Sequence, residues 1–388
     1  MHVCLMGPVA PSALKEHLRE SDRIRSDLYG SNYGAPVAEL ANSLILLGHR
    51  VSVVTYRRGY DEVHLRGPSL EFYQVDGRRS RRDQALDQWK HERAAMTDIA
   101  NELDVDVVHA HWTYEWALAA LDCPHPVVVT IHDAPLTILR HHLDAYRLIR
   151  LSMAWRVRAR HGDRLFSAVS PYVEGRWRRE LIDRGPIRVV PNVVTAHFRS
   201  QDKFEQPTVI EIADAGRRKN VLGLLGAFRT VRANIMDAQL LLVGPGLHSS
   251  EKLASTARSA DLADGVSFLG ELPRAQTQLL LAKSWVHAHF SLEESFGMTL
   301  VEAIGCGTSV IAGAESGAAG WVLNGGRAGW LSNLSDVAES AGRLIDALSC
   351  ISMRSSMELA GRAHYESALH PRVVAGEYVD LYTASIFP

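Results

Sequence analysis

"HFSLEESFGMTLVEAIGCGTSVIAG", residues 289–313, sets an acidic pair, Ser-Phe-Gly and a second, lone acid between two short apolar runs. "WVHAHF" before it and "TSVIAG" after it read as buried parallel strands, and the segment between them as a helix. Outward from this unit the same alternation continues. "AGWLSN" follows it; "TVIEIAD", "QLLLVGPG" and "GVSFLG" precede it, with helical stretches such as "NVLGLLGAFRTVRANI" in between. The first half repeats the pattern in "HVCLMG", "RVSVVTY", "VDVVHAH", "PVVVTIHD", "LFSAVS" and "IRVVPN". Between the halves, Pro191 and the polar "TAHFRSQDKFEQP" interrupt the periodicity.

An α/β pattern run twice fits the length, since 388 residues at roughly 100–200 per domain make two cores. The expected division is an N-terminal domain over 1–190, a linker over 191–207 and a C-terminal domain over 208–370. The closing segment 371–388 is expected to pack back on the first domain. With 46% hydrophobic and 22% charged residues and a formal net charge of −2, the chain reads as globular and not as a nucleic-acid binder. The four cysteines, Cys4, Cys123, Cys306 and Cys350, contain no Cys-x-x-Cys pair, so no disulfide framework or zinc knuckle is indicated. No basic leader and no apolar run near the roughly eighteen residues of a membrane span is present, and a cytoplasmic location is expected.

Parallel α/β sheets bind ligands beyond the carboxyl ends of their strands, and this rule sorts the candidates. "DVD" at 104–106 spells a metal-type pair but precedes its strand, at the wrong end for chemistry. "HAH" occurs twice, at His109/His111 and His287/His289, without a third ligand of suitable spacing; polar packing is the better reading than zinc. "EESFGMTLVEAIGCG" differs. Ser295 can cap a helix whose first turn includes Phe296, Gly297 and Met298, aiming unpaired amides at a phosphate. At ~1.5 Å per residue Glu294 and Glu302 could stand about 12 Å apart, the scale of a sugar-diphosphate-ribose span. The alternative is a capping acid with one solvated or salt-bridged glutamate.

At this point the residues carry a resemblance. Residues 289–313 resemble the Glu-(seven residues)-Glu segment of retaining, nucleotide-sugar-dependent glycosyltransferases of family 4. "ELANSLILLGHRVSVVT", "VVHAHW", "VVVTIHD", "AVSPYV", "RRKNVLGLLGAF", "LLLVGPG" and "VSFLGELP" extend the likeness along nearly the whole chain. The resemblance implies the GT-B architecture, two Rossmann-like doubly wound parallel-sheet domains facing across a cleft. It implies that Glu294 contacts the transferred sugar and Glu302 the ribose. Ser295 and the backbone of Phe296, Gly297, Met298 and Thr299 would face the distal phosphate, and Lys219, with Arg218 beside it, the diphosphate. His132 matches a histidine near the sugar, with Asp133 after it. Gly244, Gly246 and Gly270 match turns that approach the nucleotide, and Gly34 with Asn32 stands where relatives carry Gly-Gly.

Two further departures accompany that one. Ala213 and Asp214 occupy the place of a usual Gly-Arg, and Gly320 and Trp321 stand where a glutamate commonly follows "VIA". The expected reaction is transfer of a sugar from a nucleotide diphosphate, UDP ahead of GDP or ADP, to a hydroxyl of a small molecule or glycan. No cofactor or metal is expected; the donor is a co-substrate. A catalytically silent sugar-nucleotide-binding protein on the same scaffold is the alternative. The acceptor should lie on the N-terminal domain, where "HWTYEW" offers Trp112, Tyr114, Glu115 and Trp116 just past a strand; aromatic packing between helix and sheet explains the same residues. "LRHHLDAYRLIRLSMAWRVRARHGDR" has an apolar stripe opposite several arginines. It reads as a helix on the sheet with a solvated arginine face, ahead of a membrane-surface helix.

Overall fold

Among the described residues fourteen strands form two sheets. The computed structural model describes residues 1–29, 34–141, 143–196 and 201–387. The chain divides into unit 1, Met1–Val193 with Pro371–Pro388, and unit 2, Val194–His370.

Unit 1 holds β1 (His2–Met6), β2 (Arg50–Tyr56), β3 (Val63–Arg66), β4 (Leu70–Val75), β5 (Val107–His111), β6 (Val127–Ile131), β7 (Phe166–Ala168) and β8 (Ile187–Val189), in the order β3-β4-β2-β1-β5-β6-β7-β8. Every pairing is parallel except β3–β4. That antiparallel edge hairpin was not anticipated from the sequence. Its strands alternate buried and part-exposed residues, so they lack the continuous apolar run that marks the inner strands.

The helix Pro371–Ile386 belongs to unit 1 and sinks Val374, Tyr378, Leu381 and Tyr382 into the core formed by Leu5, Val53, Phe72 and Leu40. A buried polar chain fixes its position. The Tyr382 hydroxyl lies 2.8 Å from His109 Nδ1, His109 Nε2 lies 2.6 Å from Thr130 Oγ1, and Thr130 lies 2.6 Å from Ser167 Oγ. Burial drives the His109 pKa well down, so the imidazole is neutral and serves as one donor and one acceptor in this chain.

Unit 2 holds β9 (Thr208–Ile212), β10 (Gln239–Val243), β11 (Val266–Gly270), β12 (Val286–His289), β13 (Ser309–Gly313) and β14 (Trp330–Ser332), in the order β11-β10-β9-β12-β13-β14, all parallel. All six stand where the apolar runs of the second half place them. The order turns back between β9 and β12, the topological switch at which parallel sheets take ligands. Lys203, in the segment read as a linker, is fastened to unit 2. Its ammonium donates to the carbonyls of Ala282, Ser284 and Gly307, at 2.9–3.0 Å, and to Thr308 Oγ1 at 3.1 Å.

The arginine-rich helix runs Ala145–Ala159, beginning at a cap where Asp144 accepts from the Arg147 amide. Met153 and Val157 of its stripe are buried, as is Ala154, while Leu143 before it is 84% exposed. Its arginine face is not simply solvated: Arg150 turns inward to Glu115, with Nη2 at 2.6 and 2.9 Å from the two carboxylate oxygens. No described helix is long and apolar enough to cross a membrane.

Candidate active site

Glu294 stands in the turn after β12, before the helix Met298–Cys306 begins. The turn is held from both sides. Leu292 N–H donates to the Arg218 carbonyl at 2.8 Å, and Ala318 N–H to the Glu294 carbonyl at 2.8 Å. The short helical turn Arg217–Lys219 after β9 is thereby brought against it.

Oε2 of Glu294 then meets three nitrogens: Lys219 Nζ at 2.9 Å, His289 Nε2 at 3.3 Å and Arg218 Nη1 at 3.6 Å. Burial is the largest influence on this carboxyl and opposes ionisation, but contact with His289 and the charge of Lys219 outweigh it. The Glu294 pKa therefore lies well below the usual carboxylate range, and the group is an anion. His289 is itself fully buried, which lowers its pKa, while Glu294 acts in the opposite sense. Thr299 Oγ1 sits between the two histidines, 3.2 Å from His287 Nε2 and 3.4 Å from His289 Nδ1. His287 Nδ1 is 3.1 Å from the Ile210 carbonyl, which can only accept, so Nδ1 carries the proton and Nε2 receives the Thr299 hydroxyl.

The helix start corrects one expectation. Ser295 is not its cap: Gly297 takes that position at φ 90°, and the helix has no side-chain cap. A β-carbon at 297 would fall 2.6 Å from Leu300 Cδ1, and the backbone there is left-handed, so glycine is required on both counts. Leu300 and Val301 N–H turn back to the Gly297 carbonyl, leaving Met298 and Thr299 N–H as the amides without an intrahelical acceptor. Such an end favours an anion. Phe296 is buried ahead of the helix, with its ring centroid 6.4 Å from that of Trp321. Glu302 lies little more than one turn in, where Oε1 accepts from Gln278 Nε2 at 3.0 Å and Arg274 Nη2 at 3.4 Å.

Gly244, Gly246 and Gly270 gather at the carboxyl ends of β10 and β11. The Gly244 amide donates to the Gly270 carbonyl at 2.8 Å, and Ala215 N–H to the Pro245 carbonyl at 3.0 Å, tying this turn to the loop after β9. Ala213 and Asp214 lie in that loop, where Asp214 Oδ1 accepts from the Gly216 amide at 2.7 Å and shapes the turn. Lys219 and Glu294 are thus brought together as the sequence suggested. His289 and Glu211 were not singled out as members of this group. Glu211, on β9, is fully buried beneath it; Oε2 accepts from the Phe290 amide at 3.1 Å and Oε1 has no hydrogen-bond partner. Burial pushes its pKa up to about 8, against the pull of that amide and of Lys219, so the acid is protonated at neutral pH. A lone acid inside an apolar strand, "VIEI", was the available signal.

In unit 1, His132 follows β6 and is nearly buried. Its Nε2 lies 2.9 Å from His111 Nδ1, and its ring stacks on Trp112 at 4.1 Å and 20°. Burial, then His111, holds the His132 pKa well below its ordinary value, so the ring is neutral. Trp112 is left-handed at φ 64°, an outlier for a bulky residue. Tyr114 is buried and donates to Asp133 Oδ1 at 2.7 Å, while the Arg150 guanidinium lies 4.2 Å over its ring. Gly34 precedes the helix Ala35–Leu46 at φ 70°, where a β-carbon would fall 1.4 Å from the Pro8 carbonyl oxygen. Asn32 lies outside the described residues. No group of three or more His, Cys, Asp or Glu disposed to hold a metal ion occurs among the described residues.

Two family profiles match in succession, glycosyltransferase family 4 over residues 36–198 and glycosyl transferases group 1 over residues 194–364. N-acetyl-alpha-D-glucosaminyl L-malate synthase from Bacillus anthracis is 26% identical over 305 residues, 74% of this chain and 77% of that protein. The GDP-mannose-dependent monoacylated alpha-(1-6)-phosphatidylinositol monomannoside mannosyltransferase of Corynebacterium glutamicum is 34% identical over 159 residues, 39% of this chain and 40% of that protein. Among solved structures, sucrose-phosphate synthase from Thermosynechococcus elongatus superposes with a TM-score of 0.77 at 18% identity, over 99% of this chain and 98% of that one. Anabaena HepE in complex with UDP and glucose superposes at 0.72 and 17% identity, over 99% and 100%. These structures share the GT-B fold. With two family profiles laid end to end over the two sheets, the chain belongs to the group 1, family 4 glycosyltransferases.

Proposed function

We propose that the protein transfers a sugar from a nucleotide diphosphate, UDP in the first instance, to an acceptor hydroxyl with retention of anomeric configuration and without a metal. The observation that carries this reading is the partly buried Glu294 carboxylate, kept ionised by Lys219 and His289 in front of an uncapped helix end. An anion site and a hydrogen-bond acceptor for sugar hydroxyls then lie side by side at the carboxyl edge of one sheet. The complex of HepE with UDP and glucose supports UDP; the Corynebacterium relative, named for GDP-mannose, makes GDP the second candidate.

In this reading the diphosphate exchanges places with Glu294 as the partner of Lys219. It rests against the Met298 and Thr299 amides while Glu302 takes the ribose hydroxyls. The sugar C1–O bond breaks with its electron pair going to the diphosphate, where Lys219 and the helix end offset the new charge. The acceptor oxygen bonds C1 from the same face, and its proton passes to a donor phosphate oxygen. Neutral His132 orients the sugar and is assigned no nucleophilic role. A cytosolic setting belongs to the same reading and is supported by the four free cysteines.

Ala213 and Asp214 favour a second reading, a silent sugar-nucleotide-binding scaffold, because Asp214 spends its side chain on its own turn. Calorimetric titration with UDP, GDP and ADP tests the donor site. Saturable binding of one diphosphate is expected; binding of none removes both readings, and binding without turnover of any matching nucleotide sugar leaves the second.

A further inference from the structure

Behind Glu294 runs a hydrogen-bonded series from the Ile210 carbonyl through His287 and Thr299 to His289. We infer that His289 is the positioning residue for Glu294: it takes over the Oε2 oxygen when the diphosphate draws Lys219 away, and so keeps Oε1 turned to a hydroxyl of the transferred sugar. This rests on the transferase reading above.

All three nitrogens near Glu294 meet the same oxygen. Lys219 Nζ, His289 Nε2 and Arg218 Nη1 stand 2.9, 3.3 and 3.6 Å from Oε2, while Oε1 has no partner among the described residues. One oxygen is tied and the other is offered. The Glu294 backbone is held separately, by the Ala318 amide on its carbonyl, so only the direction of the side chain depends on these nitrogens.

A diphosphate at the helix end competes for Lys219, whose single hydrogen bond is to Oε2 and whose ammonium carries two further N–H groups. Two nitrogens then remain for Glu294. Arg218 Nη1 is the farther of them and already donates to the Glu293 carbonyl at 2.6 Å. That leaves His289.

The surroundings of His289 suit this task. It lies on β12, an inner strand between β9 and β13, and is buried. The order of protons starts from the fixed end of the series. The Ile210 carbonyl can only accept, so His287 Nδ1 donates to it, and the single hydroxyl proton of Thr299 goes to His287 Nε2 at 3.2 Å. Thr299 Oγ1 then stands 3.4 Å from His289 Nδ1 and steadies the ring. At the other edge of the ring a carboxylate can likewise only accept, so His289 faces Glu294 with an N–H at Nε2. That donor is buried and has no aligned acceptor while Lys219 holds Oε2. The missing acceptor is the same oxygen, 3.3 Å away, once Lys219 releases it. Thr299 links the two events, because its backbone N–H is one of the two free amides at the helix end and its side chain steadies the imidazole.

The test follows the imidazole N–H signals of the full chain, labelled with 15N-histidine, by NMR during titration with UDP; His289→Gln assigns the reporting signal. Saturation should move the His289 Nε2–H signal to lower field, as gain of a hydrogen bond to a carboxylate requires, and the move should shrink in Glu294→Gln, whose amide is the weaker acceptor. UDP bound with that signal unmoved overturns the inference and leaves the donor reading standing, whereas no binding of UDP, GDP or ADP overturns both. This arm uses the wild-type protein, so it stands even where a substitution in the strand fails to fold. Turnover of a nucleotide sugar supplies the second arm. His289→Leu should lower kcat at least about tenfold with the donor KM changed by less than about threefold, and His289→Gln, which keeps an N–H donor near the Nε2 position, should restore most of the loss. In a Glu294→Gln background His289→Leu should cost nothing further, because nothing is left for it to position. A full additional loss in the double variant, or no rescue by glutamine, would make His289 a packing residue and overturn the inference.

Discussion

Replacing Glu211 by glutamine should make the protein more stable than wild type, and increasingly so as pH rises. The wild-type carboxyl is buried without a partner for Oε1, and burial raises its pKa from 4.5 to about 8. A raised folded pKa means that the native state keeps a proton which the unfolded chain releases. Stability is therefore lost as pH climbs from the unfolded value toward the folded one, and levels off above it. At ~1.4 kcal/mol per unit, the loss attributable to Glu211 between about pH 5 and about pH 9 is about 4 kcal/mol. Glutamine keeps the shape and can still accept from the Phe290 amide, but it has no proton to lose. Chemical denaturation of both proteins at the two pH values reads the effect directly. The stability difference should widen by about 4 kcal/mol in favour of the variant. A difference independent of pH would refute the assignment of Glu211 as a neutral acid. Above its pKa the wild type also gains a second negative charge near Glu294, so the ion pair with Lys219 should weaken in the same window.

Three further outcomes are expected. Lys219→Met should lower UDP affinity ~10–100-fold while leaving uridine affinity unchanged, as loss of one charged hydrogen bond implies; an equal loss for both ligands would take Lys219 away from the diphosphate. Glu302→Ala should weaken uridine and UDP alike by about tenfold, read by the same titration, and an effect confined to UDP would contradict a ribose role. Lys203→Met should cost ~2–4 kcal/mol in denaturation experiments because three part-buried carbonyls lose their donor; a cost below ~0.5 kcal/mol would show that they find other partners.

How far the sequence disclosed this structure depends on the kind of signal each part leaves. Most of the parallel strands are apolar runs, so all six strands of unit 2 and the six strands of unit 1 outside the β3–β4 hairpin were legible. The hairpin β3–β4 was not, because "VHLR" and "LEFYQV" alternate in polarity and the turn between them has no strong signature. Glu294 and Glu302 could be marked because their spacing around a glycine is unusual, and Lys219 through the resemblance of its surroundings to the family. Ser295 was assigned the cap on residue preference alone, whereas the steric demand of Leu300 on position 297 is a tertiary fact. His289 was read as polar packing because strand periodicity shows the face a side chain takes but not the carboxylate it meets. The state of Glu211 depends on what stands opposite it, which no single stretch of chain displays.

The most direct measurement compares donor turnover by the wild type and by Glu294→Gln, following release of sugar from UDP-linked hexoses alongside UDP affinity. Wild type should turn over one donor, and the variant should be slowed by at least about a hundredfold, ~2.7 kcal/mol of transition-state stabilisation, with UDP affinity within about threefold. Equal turnover in the two proteins, or a loss of UDP affinity that accounts for the whole defect, would contradict the role given to Glu294 at the transferred sugar.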